Sequence, residues 1–132
     1  MLKDKLYKIN TIDLSPVVEE SVPSGKYSVT LTLDSSHEIF KGHFPGNPVL
    51  PGVCQVEMVR ELAEGILGIK LLLSQASQVK YLSVINPLMN PVLCLNLKLH
   101  AACQGEFDVF AELNSADCVF MKMKGHLKEF KT

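Results

Sequence analysis

GHFPGNPVLPG, residues 42–52, places three glycines and three prolines among eleven consecutive residues. Proline removes a backbone donor and restricts φ, and glycine raises the entropy cost of ordering, so this composition excludes an ordinary helix or a central strand. The next residues, GVCQVEMVRELAEGILG at 52–68, change to good helix formers with a glycine at each end. Arg60 and Glu64, an oppositely charged pair at i,i+4, also favour a helix in this segment. The sequence therefore predicts a rigid loop that leads into one helix.

The predicted helix has apolar residues on more than one side, which is typical of a helix enclosed by other elements. These residues are Val53, Val56, Ala63, Ile66 and Leu67. The enclosing elements are predicted from alternating apolar and polar residues, beginning with KYSVTLTLD at 26–34. Four more candidate strands are VKYLSVI (79–85), PVLCLNLKLHAA (91–102), EFDVFAEL (106–113) and CVFMKMKGHLK (118–128).

This order of elements predicts an α+β fold, and we expect residues 1–132 to form a single domain. A curved antiparallel sheet of about five or six strands would wrap around one central α-helix. The chain has 47% hydrophobic and 20% charged residues, a composition rich enough in apolar residues to indicate an oligomer interface as well as a core.

Composition also bears on partners and location. The net charge is −1 and the lysines are scattered, so no basic stripe for nucleic acid is expected. The longest apolar run, ILGIKLLL at 66–73, is too short and interrupted to span a membrane, and we expect a cytoplasmic protein. Four cysteines without CxxC spacing are expected to be free thiols, with a disulfide framework or a zinc site as the alternative, and no metal or cofactor is expected.

GHFPGNPVLPGVCQVE, residues 42–57, resembles the signature of the bacterial 3-hydroxyacyl-acyl-carrier-protein dehydratases of the FabZ/FabA type, which have the hot-dog fold. The resemblance implies a catalytic pair, His43 and Glu57, separated by fourteen positions. It also implies that the Gly52 N–H is the oxyanion donor and that the Val49 carbonyl holds the histidine. The implied substrate is an acyl chain on acyl carrier protein in fatty acid or polyene-type synthesis. The implied assembly is a homodimer or higher homo-oligomer in which His43 and Glu57 meet across the interface.

The chemistry of dehydration agrees with these residue types. Removing water from a 3-hydroxyacyl thioester needs a base for the α-proton, an acid for the departing hydroxyl and a donor for the developing enolate oxygen. His43, Glu57 and Gly52 fit these roles in that order. A helix N-terminus adds unpaired N–H groups at the carbonyl site.

Two features depart from the family pattern. Glu61 stands where the family usually has glutamine, on the same helix face as Glu57, and two neighbouring carboxylates tend to share one proton. Glu61 is therefore a candidate modulator, and we expect Glu61→Gln to be tolerated with a shifted pH optimum. NPLMNPVL at 86–93 replaces the family's proline–glycine–aspartate turn. Two alternatives stay open: a non-catalytic hot-dog subunit or acyl-binding module, and a hot-dog thioesterase or hydratase acting on coenzyme A thioesters.

Overall fold

A computed structural model describes residues 2–15, 25–41, 46–116 and 118–130 of the chain. The strands are β1 (Tyr7–Ser15), β2 (Gly25–Leu33), β3 (Leu71–Tyr81), β4 (Val92–Cys103), β5 (Glu106–Ser115) and β6 (Cys118–Glu129). One α-helix, α1 (Gly52–Leu67), and a short 3₁₀-helix (Glu38–Phe40) complete the described elements.

The six strands form one antiparallel sheet in the order β1-β2-β4-β5-β6-β3. Alternation decides which side chains face the core: Leu93, Leu95, Leu97 and Leu99 of β4 are all buried, whereas the polar residues between them are exposed or half-buried. Helix α1 packs on this inner face and contacts β3, β4 and β6. The buried side chains of the helix are Cys54, Gln55, Met58, Val59, Glu61, Leu62 and Ala63. The α+β prediction of one curved sheet around one helix is confirmed.

The ends of α1 follow the sequence signals. Pro51 is the N-cap residue, and the helix ends at Leu67 because Gly68 adopts a left-handed conformation with φ of 70°. The Gly68 N–H donates to the Glu64 carbonyl at 2.8 Å and so closes the last turn. The predicted i,i+4 pair is present, with Arg60 Nη1 2.8 Å from Glu64 Oε2.

Three details differ from the prediction. Strand β1 was not predicted, and a register shift between Ile9 and Thr11 explains why, since it breaks the alternation along the strand. Strand β3 begins at Leu71 rather than Val79, because this edge strand is mostly exposed and has two register shifts of its own. Val53 was expected to be an enclosed helix residue but is 78% exposed.

Candidate active site

The first turn of α1 presents backbone N–H groups that the helix itself cannot satisfy. The N–H groups of Cys54 and Gln55 donate to the Pro51 carbonyl at 3.1 and 3.2 Å. Among the described residues, no acceptor is recorded for the N–H groups of Gly52 and Val53. These two donors, at the positive end of the helix dipole, are therefore available to a carbonyl oxygen that develops negative charge.

The loop that leads into the helix is held by hydrogen bonds on both sides of Leu50. Its N–H donates to the Ile85 carbonyl at 2.9 Å, and its carbonyl accepts from Gln55 Nε2 at 3.1 Å. Gln55 is only 3% exposed, and its Oε1 has no partner among the described residues. Gln55 was not identified from the sequence. An amide side chain in an apolar first turn could have indicated a structural role, because a buried amide needs hydrogen-bond partners.

The ring of Tyr81, at the end of β3, lies against the start of the helix. A Cβ atom added to Gly52 would lie 2.6 Å from Tyr81 Cζ, closer than carbon atoms approach, so this contact requires glycine. Burial raises the pKa of the Tyr81 hydroxyl. Sequence reasoning missed this residue as well, since only the folded chain brings the end of β3 to Gly52.

Glu57 follows Gly52 by five residues, about 7.5 Å along the helix axis. Its side chain is 41% exposed and is held by Arg60, whose Nε donates to Oε1 at 2.9 Å and whose Nη2 contacts the same oxygen. Arg60 Nη1 also donates to the Leu71 carbonyl at 3.1 Å and pairs with Glu64. The hydrogen bond to Glu57 is the main cause that raises the pKa of Arg60, so the guanidinium stays charged. Among the described residues, Glu57 Oε2 accepts no hydrogen bond.

Glu61 lies one turn beyond Glu57 and has different partners. Its side chain is 3% exposed and accepts hydrogen bonds from the N–H groups of Leu2 at 3.0 Å and Lys3 at 2.9 Å, and from the Tyr7 hydroxyl at 3.3 Å. Burial, followed by the Glu61 charge, raises the pKa of Tyr7. Glu61 thus fastens the N-terminal segment to the helix, and sharing of a proton with Glu57 stays a prediction.

The remaining predicted site residues stand at the loop. His43 lies outside the described residues, and so does its predicted contact with the Val49 carbonyl. Val49 itself is half-buried, three residues before Gly52. The described residues hold no cluster of three histidine, cysteine or acidic side chains with metal-binding geometry. In the same part of the chain, no helix has both the length and the apolar character that a membrane crossing needs.

Comparison with known proteins places this chain in a family. Residues 19–121 match the model of the ApeI-like family, described as ApeI dehydratase. The chain belongs to this ApeI-like dehydratase family. Among curated proteins it is 34% identical over 77 residues to the 3-hydroxyacyl-[acyl-carrier-protein] dehydratase FabZ of Levilactobacillus brevis, a match that covers 53% of this chain and 52% of the relative. The chain thus spans about half or less of the length of the curated relatives it matches.

Two solved structures extend the comparison of this ApeI-like chain. An uncharacterised protein from Erwinia carotovora subsp. atroseptica superposes with a TM-score of 0.71 at 23% identity, covering 95% of this chain and 98% of that one. The dehydratase heterocomplex ApeI:P from Xenorhabdus doucetiae gives a TM-score of 0.58 at 27% identity, covering 79% and 88%. The first similarity shows the fold alone.

Proposed function

We propose that this chain dehydrates a 3-hydroxyacyl thioester carried on acyl carrier protein to the trans-2-enoyl thioester, in fatty acid or polyene-type lipid synthesis. The observation that carries the proposal is the pair of available N–H groups at Gly52 and Val53, on the same helix as the half-exposed carboxyl group of Glu57. Membership in the ApeI-like dehydratase family and the similarity to FabZ support the reaction class.

The proposed reaction divides the proton transfers between two side chains. His43 removes the α-proton, and the electron pair moves toward the thioester carbonyl, whose oxygen binds the Gly52 N–H. The electron pair then returns to form the α,β double bond while the β-hydroxyl leaves with a proton from Glu57, so that one water is released. His43 holds the abstracted proton, and its transfer back to Glu57 through solvent restores both groups.

The contacts of Glu57 leave one of its two carboxyl oxygens available for the proposed proton transfer. Arg60 engages only Oε1, so Oε2 is the oxygen from which a proton would be transferred. Because Arg60 is itself fixed by the Leu71 carbonyl and by Glu64, the carboxyl group has little freedom to rotate away. Positioning of this kind lowers the entropy cost of the reaction.

We also propose that the chain acts as a homodimer, with His43 and Glu57 meeting across the interface. Val53 in the first turn of the helix and Tyr81, which contacts Gly52, are exposed, and the exposed apolar residues Leu82, Val84, Leu88 and Met89 follow β3 along the chain, before Val92 at the start of β4. Within the described parts of the chain, strand β3 pairs only with β6, which leaves the edge that ends at Tyr81 open. An open edge strand next to apolar surface favours pairing with a second chain. Because ApeI:P is a heterocomplex, a different partner chain is the alternative to a second copy of this chain at the open edge.

The catalytic proposal is tested by mass spectrometry of a short 3-hydroxyacyl group on acyl carrier protein. Wild type should release one water, and His43→Ala and Glu57→Gln should each lower the rate by about 10²–10⁴. Glu38→Gln, which changes an exposed carboxylate, is the control and should keep full activity. Absence of water loss from both carrier-linked and coenzyme A-linked substrates would reject the dehydratase and favour the acyl-binding module. Release of a free thiol instead would identify a thioesterase.

The assembly is tested separately by light scattering. Val84→Lys should shift the dimer toward monomer, because it places a charge among the exposed apolar residues that follow β3. Ile12→Lys, at an apolar residue that is 43% exposed on the opposite edge strand, should leave the dimer intact. A wild-type monomer at micromolar concentration would contradict the homodimer.

A further inference from the structure

The outer face of the sheet, opposite α1, has a concentration of lysines that the proposed reaction does not use. The register aligns two neighbouring rows across β2, β4, β5, β6 and β3. The first row reads Lys26, Lys98, Phe110, Lys124 and Gln78. The second row reads Ser28, Asn96, Glu112, Lys122 and Lys80. We call these ten residues the lysine platform.

The positive charge of the lysine platform is poorly compensated within the chain. Lys26 stands directly opposite Lys98, and Lys80 stands directly opposite Lys122. Like charges in directly paired positions destabilise a sheet. The platform has five lysines and a single acidic residue, Glu112, and none of the ion pairs recorded among the described residues involves these lysines. The arrangement therefore opposes folding stability and indicates a ligand that supplies negative charge.

An aromatic ring lies at the centre of the lysine platform. Phe110 is 40% exposed, and the ammonium groups of Lys98 and Lys124 lie 5.9 and 5.5 Å from its ring centroid. The lysines stand on either side of the ring because Phe110 is paired with Lys98 on one neighbouring strand and Lys124 on the other. An exposed ring between two cations offers a stacking surface next to anion-binding groups.

The shape and dimensions of the platform favour a small ligand. The side chains surround a depression of about 560 Å³, within the range of small-molecule sites. Strands are spaced by about 4.8 Å, so the lysines of β4 and β6 are about 10 Å apart at the backbone, and their flexible side chains can converge on one chain of phosphates. Ser28, Asn96 and Gln78 add uncharged hydrogen-bonding groups at the same depression.

We propose that the lysine platform binds a nucleoside polyphosphate, with the base stacked on Phe110 and the phosphates between the lysines. The site is separate from the loop and helix start that carry the proposed dehydration. A second copy of this chain is a poor occupant, because packing two platforms together would oppose lysine to lysine. An acidic protein surface would match the charge but would leave the depression unfilled.

The test is isothermal titration of the full chain with ATP, adenosine and inorganic tripolyphosphate at low ionic strength. ATP should bind more tightly than either fragment, and binding should weaken as salt is raised. Lys98→Gln should weaken ATP binding about fivefold, the contribution of one favourable ion pair. Phe110→Leu should weaken ATP but leave tripolyphosphate unchanged. Lys70→Gln, which removes an exposed lysine outside the platform, is the charge-matched control and should bind ATP like wild type.

The Tm of each variant without ligand shows whether the substitution affects folding rather than binding. Because Lys98→Gln relieves a like-charge pair, its Tm without ligand should equal or exceed that of wild type, so loss of binding cannot be attributed to unfolding. The proposal is overturned by no ATP binding, by equal affinity for ATP and tripolyphosphate, or by binding that Lys98→Gln does not weaken. Tighter binding of a glutamate-rich peptide than of ATP would also overturn it and would make the face a protein interface.

Discussion

Glu61→Gln should destabilise this protein, although the family pattern alone predicts that it is tolerated. The two carboxylate oxygens accept from the N–H groups of Leu2 and Lys3, and Oε1 also accepts from the Tyr7 hydroxyl. An amide keeps one acceptor oxygen, so its NH₂ group must face at least one of these three donors. Losing a hydrogen bond to a charged group costs about 1.5–3 kcal/mol. We therefore expect a loss of about 2–3 kcal/mol in the free energy of unfolding, which corresponds to a Tm lower by about 8–12 °C for a domain of this size.

Differential scanning calorimetry gives the Tm, and hydrogen exchange at Leu2 and Lys3 reports directly on the segment that Glu61 holds. Glu38→Gln, at an exposed carboxylate, should leave both measurements unchanged. Tyr7→Phe removes only the third donor, so the double variant should show a coupling of about 0.5–1.5 kcal/mol with Glu61→Gln. An unchanged Tm and unchanged exchange in Glu61→Gln would refute the assignment of Glu61 as the anchor of the N-terminal segment.

The remaining predictions concern two glycines and one histidine. Gly125→Ala should lower the free energy of unfolding by about 1–3 kcal/mol, because the new Cβ would lie 2.7 Å from the Gln75 carbonyl oxygen on the paired strand. Gly65→Ala, at a helix position where a Cβ meets nothing within 4 Å, should raise it by up to about 1 kcal/mol. A denaturant titration measures both changes. Hydrogen bonds to Asp108 and then Glu106 raise the pKa of His126 above its usual 6.5, so the stability that this residue contributes is complete below pH 6.5 and is lost as the pH rises through the folded-state pKa. The Tm of wild type should therefore fall between about pH 6 and pH 8 by more than that of His126→Gln, and parallel Tm curves for the two proteins would contradict this.

Local pattern was enough to predict most of the fold. The change from the loop at 42–52 to helix formers located α1, and Gly68 marked its end, because helix initiation and termination depend on residues within one or two turns. Strict alternation located β2, β4, β5 and β6, since one face of each is buried. The pattern failed at the two edge strands, β1 and β3, where register shifts and exposure remove the alternation.

The sequence by itself determined the loop, the helix with Glu57 five residues after Gly52, and the alternation of the paired strands, because these depend on neighbours along the chain. Only the tertiary structure decided which distant groups meet. Glu61 binds N–H groups 58 and 59 residues away, the ring of Tyr81 lies over Gly52, and sheet register places Lys26 opposite Lys98. Such contacts depend on how helices and strands pack and pair in the folded chain, which the local sequence pattern does not reveal. These contacts position the residues of the candidate site and of the lysine platform.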